Sequence, residues 1–269
     1  MKKVVLITGN EIRHEYFRKY LGACENIIIL KTYCETSETS LLEEVSSQIS
    51  ASRQKHLNSR TQSELDFFSV FCKKIKDNSN PKFIKKGLIN SLEQINEIES
   101  LAPDLIVSYG CSIIKSTLLQ TFKNRFVNLH LGISPYYRGS ATNFFPFLHD
   151  EISCVGVTFM YIDEGIDTGK IIHQKRANIS IDDSIHQIGN RLIADMMEDC
   201  EKLILNFDRL VDMKPLVPKC EKLFKKKDFT EESVSLMYQK FNEGIISNYL
   251  QNKLSYDTNF PIVKNPVLV

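Results

Sequence analysis

The segment Phe126-Val-Asn-Leu-His-Leu-Gly-Ile-Ser-Pro-Tyr-Tyr-Arg-Gly139 is predicted to form a short strand that runs into a loop punctuated by glycine and proline. Apolar Val127 and Leu129 alternate with Asn128 and His130, so the two polar side chains share one face at the end of the strand. Asn128 offers an amide donor, and an imidazole can gain or lose a proton near neutral pH. Such a pair suits acyl-group chemistry.

Between this segment and the N-terminus, the sequence contains apolar runs that predict strands, with stretches of helical spacing between them. Val4–Thr8, Ile27–Lys31 and Asp104–Tyr109 are mainly apolar, and helical spacing follows the first of them from Glu11 to Leu21. Apolar runs with helices between them are typical of parallel strands that are buried on both faces. This order predicts an α/β fold with a Rossmann-like, doubly wound, mostly parallel sheet.

Three loops are predicted to meet at one edge of this sheet, because such sheets place ligands beyond the carboxyl ends of their strands. The loops are Gly9–Asn10, Gly110–Ile114 and Asn128–Gly139, with Arg13 and His14 as further candidates at the same edge. The first loop lacks the GxGxxG pattern that binds a dinucleotide, which argues against a nicotinamide cofactor.

Two further strands, Cys154–Ile162 and Lys170–Gln174, are joined by Asp163–Gly169, a connection too short for a crossover helix. They are therefore predicted to form an antiparallel pair that is added to the sheet. A long amphipathic helix, capped by Asp182-Asp183, is predicted to follow.

The chain changes character after Phe207, where this long helix is predicted to end. Prolines punctuate the remainder, Lys225–Lys227 is a charge run, and residues 230–250 are compatible with one helix. We predict two units, a large domain over residues 1–207 and a small C-terminal subdomain over residues 208–269.

Composition argues against several classes of function. With 269 residues and a net charge of +1, the chain does not suit a polyanion binder that works by bulk charge. Seven scattered cysteines without a CxxC pair indicate neither a disulfide framework nor a zinc site, so no metal is expected. The apolar run after Met1 is too short for a signal peptide or a membrane span, so we expect a soluble, cytoplasmic protein without a membrane partner. Residues 36–58 are polar and helix-compatible but carry no chemical signature.

A second motif, Asp163-Glu-Gly-Ile-Asp-Thr-Gly-Lys-Ile-Ile172, completes a pattern with the first. An N-x-H strand end, a P-x-x-R-G loop and a D-E-G-x-D-T-G-x-I turn together resemble the 10-formyltetrahydrofolate-dependent formyltransferases. That family includes methionyl-tRNA formyltransferase, glycinamide ribonucleotide transformylase and the sugar N-formyltransferases, which the chain resembles most. The resemblance is strongest over residues 104–175 and makes residues 1–207 the catalytic domain.

The resemblance implies a catalytic trio of Asn128, His130 and Asp167. The reaction would be attack by a primary amine on the formyl carbon carried by the folate, through a tetrahedral intermediate. The amide of Asn128 can donate to the developing oxyanion, and a protonated His130 can add charge there or give a proton to the departing folate nitrogen. Asp167 can hold His130 cationic and can accept the proton of the amine.

The same resemblance implies that two loops hold the pterin ring of 10-formyltetrahydrofolate, largely through backbone groups. Cys111 is not expected to react, because neither a base nor a metal accompanies it. The predicted cofactor-binding residues are Gly110, Cys111, Ser112, Ile113, Ile114, Asp163, Glu164, Gly165 and Ile166.

The predicted substrate-binding residues are Asn10, Tyr136, Arg138 and Gly139, of which Arg138 would face the acceptor or order its loop through an ion pair. The residues after Asp208 are too few for the terminal domain of the tRNA enzymes, and glycinamide ribonucleotide transformylases end earlier. We therefore expect an amino-sugar acceptor, either a nucleotide-linked deoxyamino sugar or a nonulosonic (pseudaminic) acid pathway sugar, and no nucleic-acid partner.

Several alternatives stay open at this point. The acceptor could be methionyl-tRNA or glycinamide ribonucleotide, the same trio could hydrolyse formyltetrahydrofolate, or the chain could bind folate without catalysis. Apolar surface on the C-terminal subdomain would be compatible with a homodimer, although the spacing of residues leaves the oligomeric state open.

Overall fold

The computed structural model describes residues 1–36, 51–218 and 220–269 of the chain. The strands are β1 (Lys2–Thr8), β2 (Ile27–Thr36), β3 (Pro81–Lys85), β4 (Leu105–Tyr109), β5 (Phe126–His130), β6 (Tyr137–Gly139), β7 (Gly156–Tyr161), β8 (Ile171–Arg176) and β9 (Lys222–Phe224). A seven-stranded sheet has the order β3-β2-β1-β4-β5-β7-β8, while β6 and β9 pair with each other outside it. The first five strands of this order are parallel, and β7 and β8 each run antiparallel to the preceding neighbour. The predicted α/β fold, with a mostly parallel sheet and an antiparallel addition, is confirmed.

The sheet is covered on both faces, which explains the continuous apolar character of its central strands. In β1, Val4 and Leu6 pack into one core cluster, whereas Val5 and Ile7 pack into the other, and all four are fully buried. Successive side chains of a strand point to opposite faces, so both faces of β1 need apolar residues.

Helices cover these two faces. They are α1 (Ile12–Ala23), α2 (Ala51–Lys74), α3 (Leu92–Leu101), α4 (Ser116–Thr121), α5 (Phe145–Leu148), α6 (Ile185–Leu205), α7 (Glu231–Asn242), α8 (Ile245–Gln251) and α9 (Lys253–Asn259). α1, α2 and α6 contribute to the first cluster, and α3 and α4 contribute to the second. Residues 37–50 lie outside the described ranges, so the structure describes two parts of the predicted helix-compatible stretch 36–58. These are Thr36, which ends β2, and the residues that belong to α2.

Two sequence predictions about helix ends are wrong. The cap of α6 is Ser184, whose Oγ accepts a hydrogen bond from Gln187 N at 3.2 Å. Asp183 instead binds the guanidinium of Arg191 through both carboxylate oxygens, at 2.6 and 2.7 Å. The single helix predicted over residues 230–250 is divided into α7 and α8, because Gly244 lies between them in a left-handed conformation with φ 85°.

The C-terminal residues pack against the same core as the rest of the chain. Val234 and Met237 of α7 and Tyr249 of α8 are buried in the cluster that contains α1 and α6. The last residues lie beside β8, where Val263 and Gln174 exchange two hydrogen bonds, of 2.8 and 3.0 Å. The division at residue 207 stays a prediction.

Within the described ranges, no helix combines the length and the apolar character that crossing a membrane would require.

Stability should fall on mild acidification because four histidines are held neutral by burial. Burial lowers the pKa to about 4 for His14, His173 and His186 and to about 3 for His56. The unfolded chain takes up protons near the ordinary pKa of 6.5 and the folded chain does not, so the free energy of unfolding should decrease as the pH falls from 6.5 towards 4. Each histidine contributes at most about 1.4 kcal/mol per pH unit.

Denaturant titrations across this pH range measure how steeply the free energy of unfolding changes with pH. The His56→Phe variant lacks one of the four groups and should show a shallower slope than the wild type, whatever its absolute stability. Equal slopes for the two proteins would contradict the assignment.

Candidate active site

Asn128 is held on the face of β5 that looks into a cavity, with its amide oxygen already occupied. β4 and β5 are parallel and in register at Ser108 and Asn128, and Ser108 Oγ donates to Asn128 Oδ1 at 3.0 Å. No hydrogen bond within the described residues uses Asn128 Nδ2. This bond therefore fixes the orientation of the amide and leaves its two N–H donors available to a ligand.

His130, the last residue of β5, is placed between two oxygen atoms. Its Nε2 lies 3.1 Å from the carbonyl oxygen of Tyr137, and its Nδ1 lies 3.3 Å from Oδ2 of Asp167. The residue is only 7% exposed. A neutral imidazole can donate to just one of these acceptors, whereas the doubly protonated ring can donate to both. Both ring nitrogens of His130 therefore have a hydrogen-bond acceptor within reach.

Asp167 reaches His130 from a turn in the loop between β7 and β8. Its φ of 51° is left-handed, a region that Asp and Asn tolerate better than most side chains. Gly139 N donates to Asp167 Oδ2 at 2.9 Å, so the carboxylate oxygen nearest His130 is also bound to the backbone of β6. A residue held in such a conformation by its surroundings is a common feature of functional sites.

The loop that carries Asp167 is tied both to itself and to β7. Asp163 Oδ1 accepts from Gly165 N at 3.0 Å and from Thr168 Oγ1 at 2.7 Å. A Cβ at Gly169 would lie 1.7 Å from the carbonyl oxygen of Tyr161, so only glycine fits there. These contacts hold the turn in one shape.

The loop at Gly110–Ile114, beyond β4, is anchored from β2. The buried carboxylate of Glu35 accepts from Ser112 N at 2.6 Å and from Ser112 Oγ at 2.8 Å. Asn90 bridges the next residues, since its Nδ2 donates to Ile113 O at 3.0 Å and its Oδ1 accepts from Lys115 N at 2.7 Å. Ile113 itself is 73% exposed, so the loop presents an apolar side chain on a fixed backbone.

His14 fills the gap between the ends of β1 and β4. A Cβ at Gly110, whose φ is 67°, would lie 2.3 Å from His14 Nε2, and one at Gly9 would lie 2.6 Å from His14 Cε1. His14 Nδ1 accepts a hydrogen bond from Glu11 N at 3.1 Å. The buried imidazole thus fixes the spacing of two loops at the carboxyl edge of the sheet.

Cys111, in the same loop, is an unreactive thiol. Burial raises its pKa to about 12, whereas a reactive cysteine needs a lowered pKa because the thiolate is the nucleophile.

A cavity of about 920 Å³ brings most of the predicted site residues together. A pocket of this volume is in the range that binds small molecules and cofactors. Its wall includes Asn128, His130, Asp167, Gly110, Cys111, Ser112, Ile113, Ile114, Asp163, Gly165, Ile166 and Gly139.

Four predicted site residues, all of them described, lie outside that wall. Asn10 is exposed beyond β1, and Glu164 lines a neighbouring cavity of about 700 Å³. Tyr136 is buried and its hydroxyl donates to Pro261 O at 2.9 Å, so it joins the C-terminal residues to the core. Arg138 pairs with Glu221 at 2.9 Å. Tyr136 and Arg138 are therefore engaged in contacts within the chain, and a role for either of them in binding the acceptor stays a prediction.

The far end of the cavity is basic and aromatic, which the sequence analysis missed. Arg53 lies over the ring of Phe229, with 5.4 Å between the guanidinium carbon and the ring centroid, and its buried Nε has no hydrogen-bond partner among the described residues. α2, α6, the residue before α5, and β9 with the segment after it supply the side chains of this basic end, which are Arg53, His56, Arg60, Phe144, His186, Phe224, Lys225, Lys226 and Phe229. Lys225 and Lys226 belong to the charge run noted in the sequence, but the helical residues carry no motif that would mark them.

The geometry defines a class of protein. Its members have a doubly wound α/β fold, an Asn–His–Asp cluster at the carboxyl edge of the sheet, and a cavity between two fixed loops beside that cluster. The formyl transferase family matches residues 28–198, which is more than half of the chain. The chain belongs to the formyl transferase family.

Comparisons with individual proteins give the same family. A methionyl-tRNA formyltransferase from Syntrophomonas wolfei is 37% identical over 145 residues, which cover 52% of this chain and 43% of the relative. The chain spans about half the length of the curated relatives it matches.

Solved structures share the fold. That of a sugar N-formyltransferase from a Shewanella species has a TM-score of 0.56 and 16% identity, and the match covers 90% of this chain and 88% of that one. The formyltransferase PseJ from Anoxybacillus kamchatkensis, in complex with UDP-4,6-dideoxy-4-formamido-L-AltNAc and tetrahydrofolate, has a TM-score of 0.50 and 23% identity. That match covers 88% of this chain and 97% of PseJ.

Proposed function

We propose that the protein transfers the formyl group of 10-formyltetrahydrofolate to the primary amine of an amino sugar. The observation that carries this proposal is the meeting of Asn128, His130 and Asp167 in one cavity wall, with the amide donors of Asn128 unused. Membership of the formyl transferase family supports the reaction class.

Each member of the trio has a role that its contacts support. Asn128 Nδ2 donates to the oxygen atom on which negative charge develops, a contribution of about 3 kcal/mol in comparable sites. His130, placed to donate from both ring nitrogens, adds positive charge beside that oxygen. Asp167 keeps the imidazole oriented and takes up the proton that the attacking amine loses, directly or through water. As the bond between the formyl carbon and the folate nitrogen breaks, that proton is passed to the departing nitrogen, which leaves as tetrahydrofolate.

The donor fits between the two fixed loops. When bound, 10-formyltetrahydrofolate supplies the activated formyl carbon, and the chain supplies a rigid slot for its pterin ring. The loop at Gly110–Ile114 is held by Glu35 and carries exposed Ile113, while the loop at Asp163–Asp167 faces it with Ile166, which is 45% exposed. Backbone polar groups beside apolar side chains suit a flat heterocycle that is rich in donors and acceptors.

The basic end of the cavity favours an acceptor that carries a nucleoside diphosphate. Arg53, Lys225 and Lys226 make no ion pair with a carboxylate in the described part of the chain, so their charges are available to phosphate groups. Phe144 and Phe229 line the same part of the cavity and give it an apolar component. Among the structures with this fold, that of PseJ is a complex with a UDP-linked sugar, and that of the Shewanella protein is a sugar N-formyltransferase.

Methionyl-tRNA is the second candidate acceptor, because the curated relatives that match the sequence carry that name. An assay that supplies 10-formyltetrahydrofolate with nucleotide-linked amino sugars, methionyl-tRNA or glycinamide ribonucleotide decides between them. Formylation of the amino sugar supports the proposal, and formylation of tRNA alone replaces the acceptor. Formate release without any amine indicates a hydrolase, and no turnover indicates a folate binder.

Removing positive charge from the basic end should weaken use of a nucleotide-linked acceptor. We expect Lys225→Gln/Lys226→Gln to lower kcat/KM for that acceptor by roughly 3- to 30-fold, since an exposed ion pair contributes about 0.2–1 kcal/mol. The change should appear mainly in KM for the acceptor, because the trio is untouched.

Lys227→Gln is the matched control, since Lys227 neighbours this pair but does not line the cavity. Equal kinetics for the double variant and the control would remove the support that the basic end gives to a phosphorylated acceptor.

A further inference from the structure

The strand β6 holds both ionisable members of the trio through its backbone. The carbonyl of Tyr137 lies 3.1 Å from His130 Nε2, and Gly139 N donates to Asp167 Oδ2 at 2.9 Å. Three residues therefore set the positions of the imidazole and of the carboxylate together. If β6 moved, both contacts would change at once.

The strand neighbour of β6 in the described structure is β9, in the C-terminal part of the chain. The two strands are parallel, with Tyr137 opposite Lys222 and Gly139 opposite Phe224. Lys222 N donates to the carbonyl of Tyr136, and Ser140 N donates to that of Phe224, both at 2.9 Å. The pairing is close at its end, where a Cβ on Gly139, whose φ is 93°, would lie 2.1 Å from Phe224 O.

Side chains reinforce this pairing around the fully buried ring of Tyr137. The Tyr137 hydroxyl donates to Glu151 Oε2 at 2.6 Å, and the same carboxylate oxygen binds Lys222 Nζ at 2.5 Å. Lys222 Nζ also lies 4.9 Å from the centroid of the Tyr137 ring. The ring of Phe224 stacks on the ring of Tyr137. It also stacks on the ring of Phe145, with 3.9 Å between the two centroids.

Burial and the Glu151 carboxylate raise the pKa of Tyr137 well above its ordinary value, so the phenol stays protonated and keeps donating. Lys222 and Glu151 thus hold Tyr137 by its ring and its hydroxyl, while β9 holds its backbone.

We propose that β9 is a positioning element of the active site, and that Lys222, through Glu151 and Tyr137, fixes the His130–Asp167 pair. This inference rests on the proposed function for its kinetic readout. Lys222 does not line the cavity, so it would act on the reaction through its neighbours in β6 and β9 and not by contact with a substrate. A misplacement of about 1 Å from a mutation outside the reacting groups can cost about 10²-fold in rate, and partial loosening should cost less.

The test compares Lys222→Met with Lys240→Met. Lys240 pairs with Asp150, next to Glu151 in the chain, and its side chain is 19% exposed against 24% for Lys222, but it has no contact with β6 among those described. We expect Lys222→Met to lower kcat about tenfold and to change the pH profile of kcat, with KM for the donor nearly unchanged. Lys222→Arg should restore much of the rate, and Lys240→Met should behave as the wild type.

Two measurements separate failure of this inference from failure of the proposed function. Formyl transfer with the same kcat and pH profile in Lys222→Met and Lys240→Met would overturn the positioning role and leave the proposed function intact. If the wild type formylates no amine, the ring ¹⁵N resonances of His130 provide the readout. They should shift and titrate differently in Lys222→Met only, and unchanged resonances would overturn the inference.

Discussion

Replacing Asp167 with asparagine is expected to lower kcat for formyl transfer by about 10²- to 10⁴-fold, the range that a positioned proton acceptor contributes. Asparagine has nearly the same shape but carries no charge, so it can neither take the proton of the amine nor stabilise a cationic His130 across the 3.3 Å between Oδ2 and Nδ1. Steady-state rates with saturating donor and acceptor measure the loss.

The substitution should leave the fold intact, which makes the result interpretable. Asparagine tolerates the left-handed φ of 51° as well as aspartate does, and its amide oxygen can still accept from Gly139 N. Asp182→Asn, at an exposed position outside the cavity, serves as the control. A kcat within about threefold of the wild type for Asp167→Asn would exclude Asp167 as the proton acceptor.

Replacing Asn128 with alanine is expected to lower kcat by about 10²- to 10³-fold, because one donor to the developing oxyanion disappears. Binding of the donor molecule should change far less, since the two loops that would hold it are untouched. Rapid-mixing measurements of a single turnover would show the loss in the chemical step.

Ser108→Ala is a milder perturbation of the same amide group and is compared with Asn128→Ala. It removes the hydrogen bond to Asn128 Oδ1 and lets the amide rotate, while both amide donors remain present. An intermediate loss of rate is therefore expected. If Ser108→Ala were as slow as Asn128→Ala, or if Asn128→Ala kept nearly full activity, the oxyanion role of Asn128 would be wrong.

The mostly parallel sheet and the edge at which the cavity lies could be predicted because they follow from local patterns, whereas the strand order could not. Val4–Ile7 reads as a continuous apolar run because both faces of β1 are covered. The two-residue period of β5 puts Asn128 and His130 on one face, and the carboxyl edge of a parallel sheet is where loops meet. Asp167 could be added only through the resemblance of its motif.

Contacts between segments that are distant in the sequence could not be predicted from local sequence patterns. Nothing in Lys222–Phe224 indicates a strand that pairs with Tyr137–Gly139, and nothing around Tyr136 indicates its hydrogen bond to Pro261 O. The basic end of the cavity collects residues from α2, α6 and the C-terminal segment, and only the fold brings them together. At the start of α6 both Asp183 and Ser184 are good caps, and the competing partner Arg191 decided between them.

The residues beside β8 have a consequence for the solubility of the whole molecule. A seven-stranded open sheet has two outer strands, each able to recruit a strand from another copy and start aggregation. At β8 the backbone N–H of Gln174 is taken by Val263, and Asn265 Nδ2 donates to Ile172 O at 3.4 Å. At β3 the strand begins at Pro81, which has no backbone N–H to donate to a further strand. A fusion that pulled Val263 away would leave one of these outer strands open to self-association.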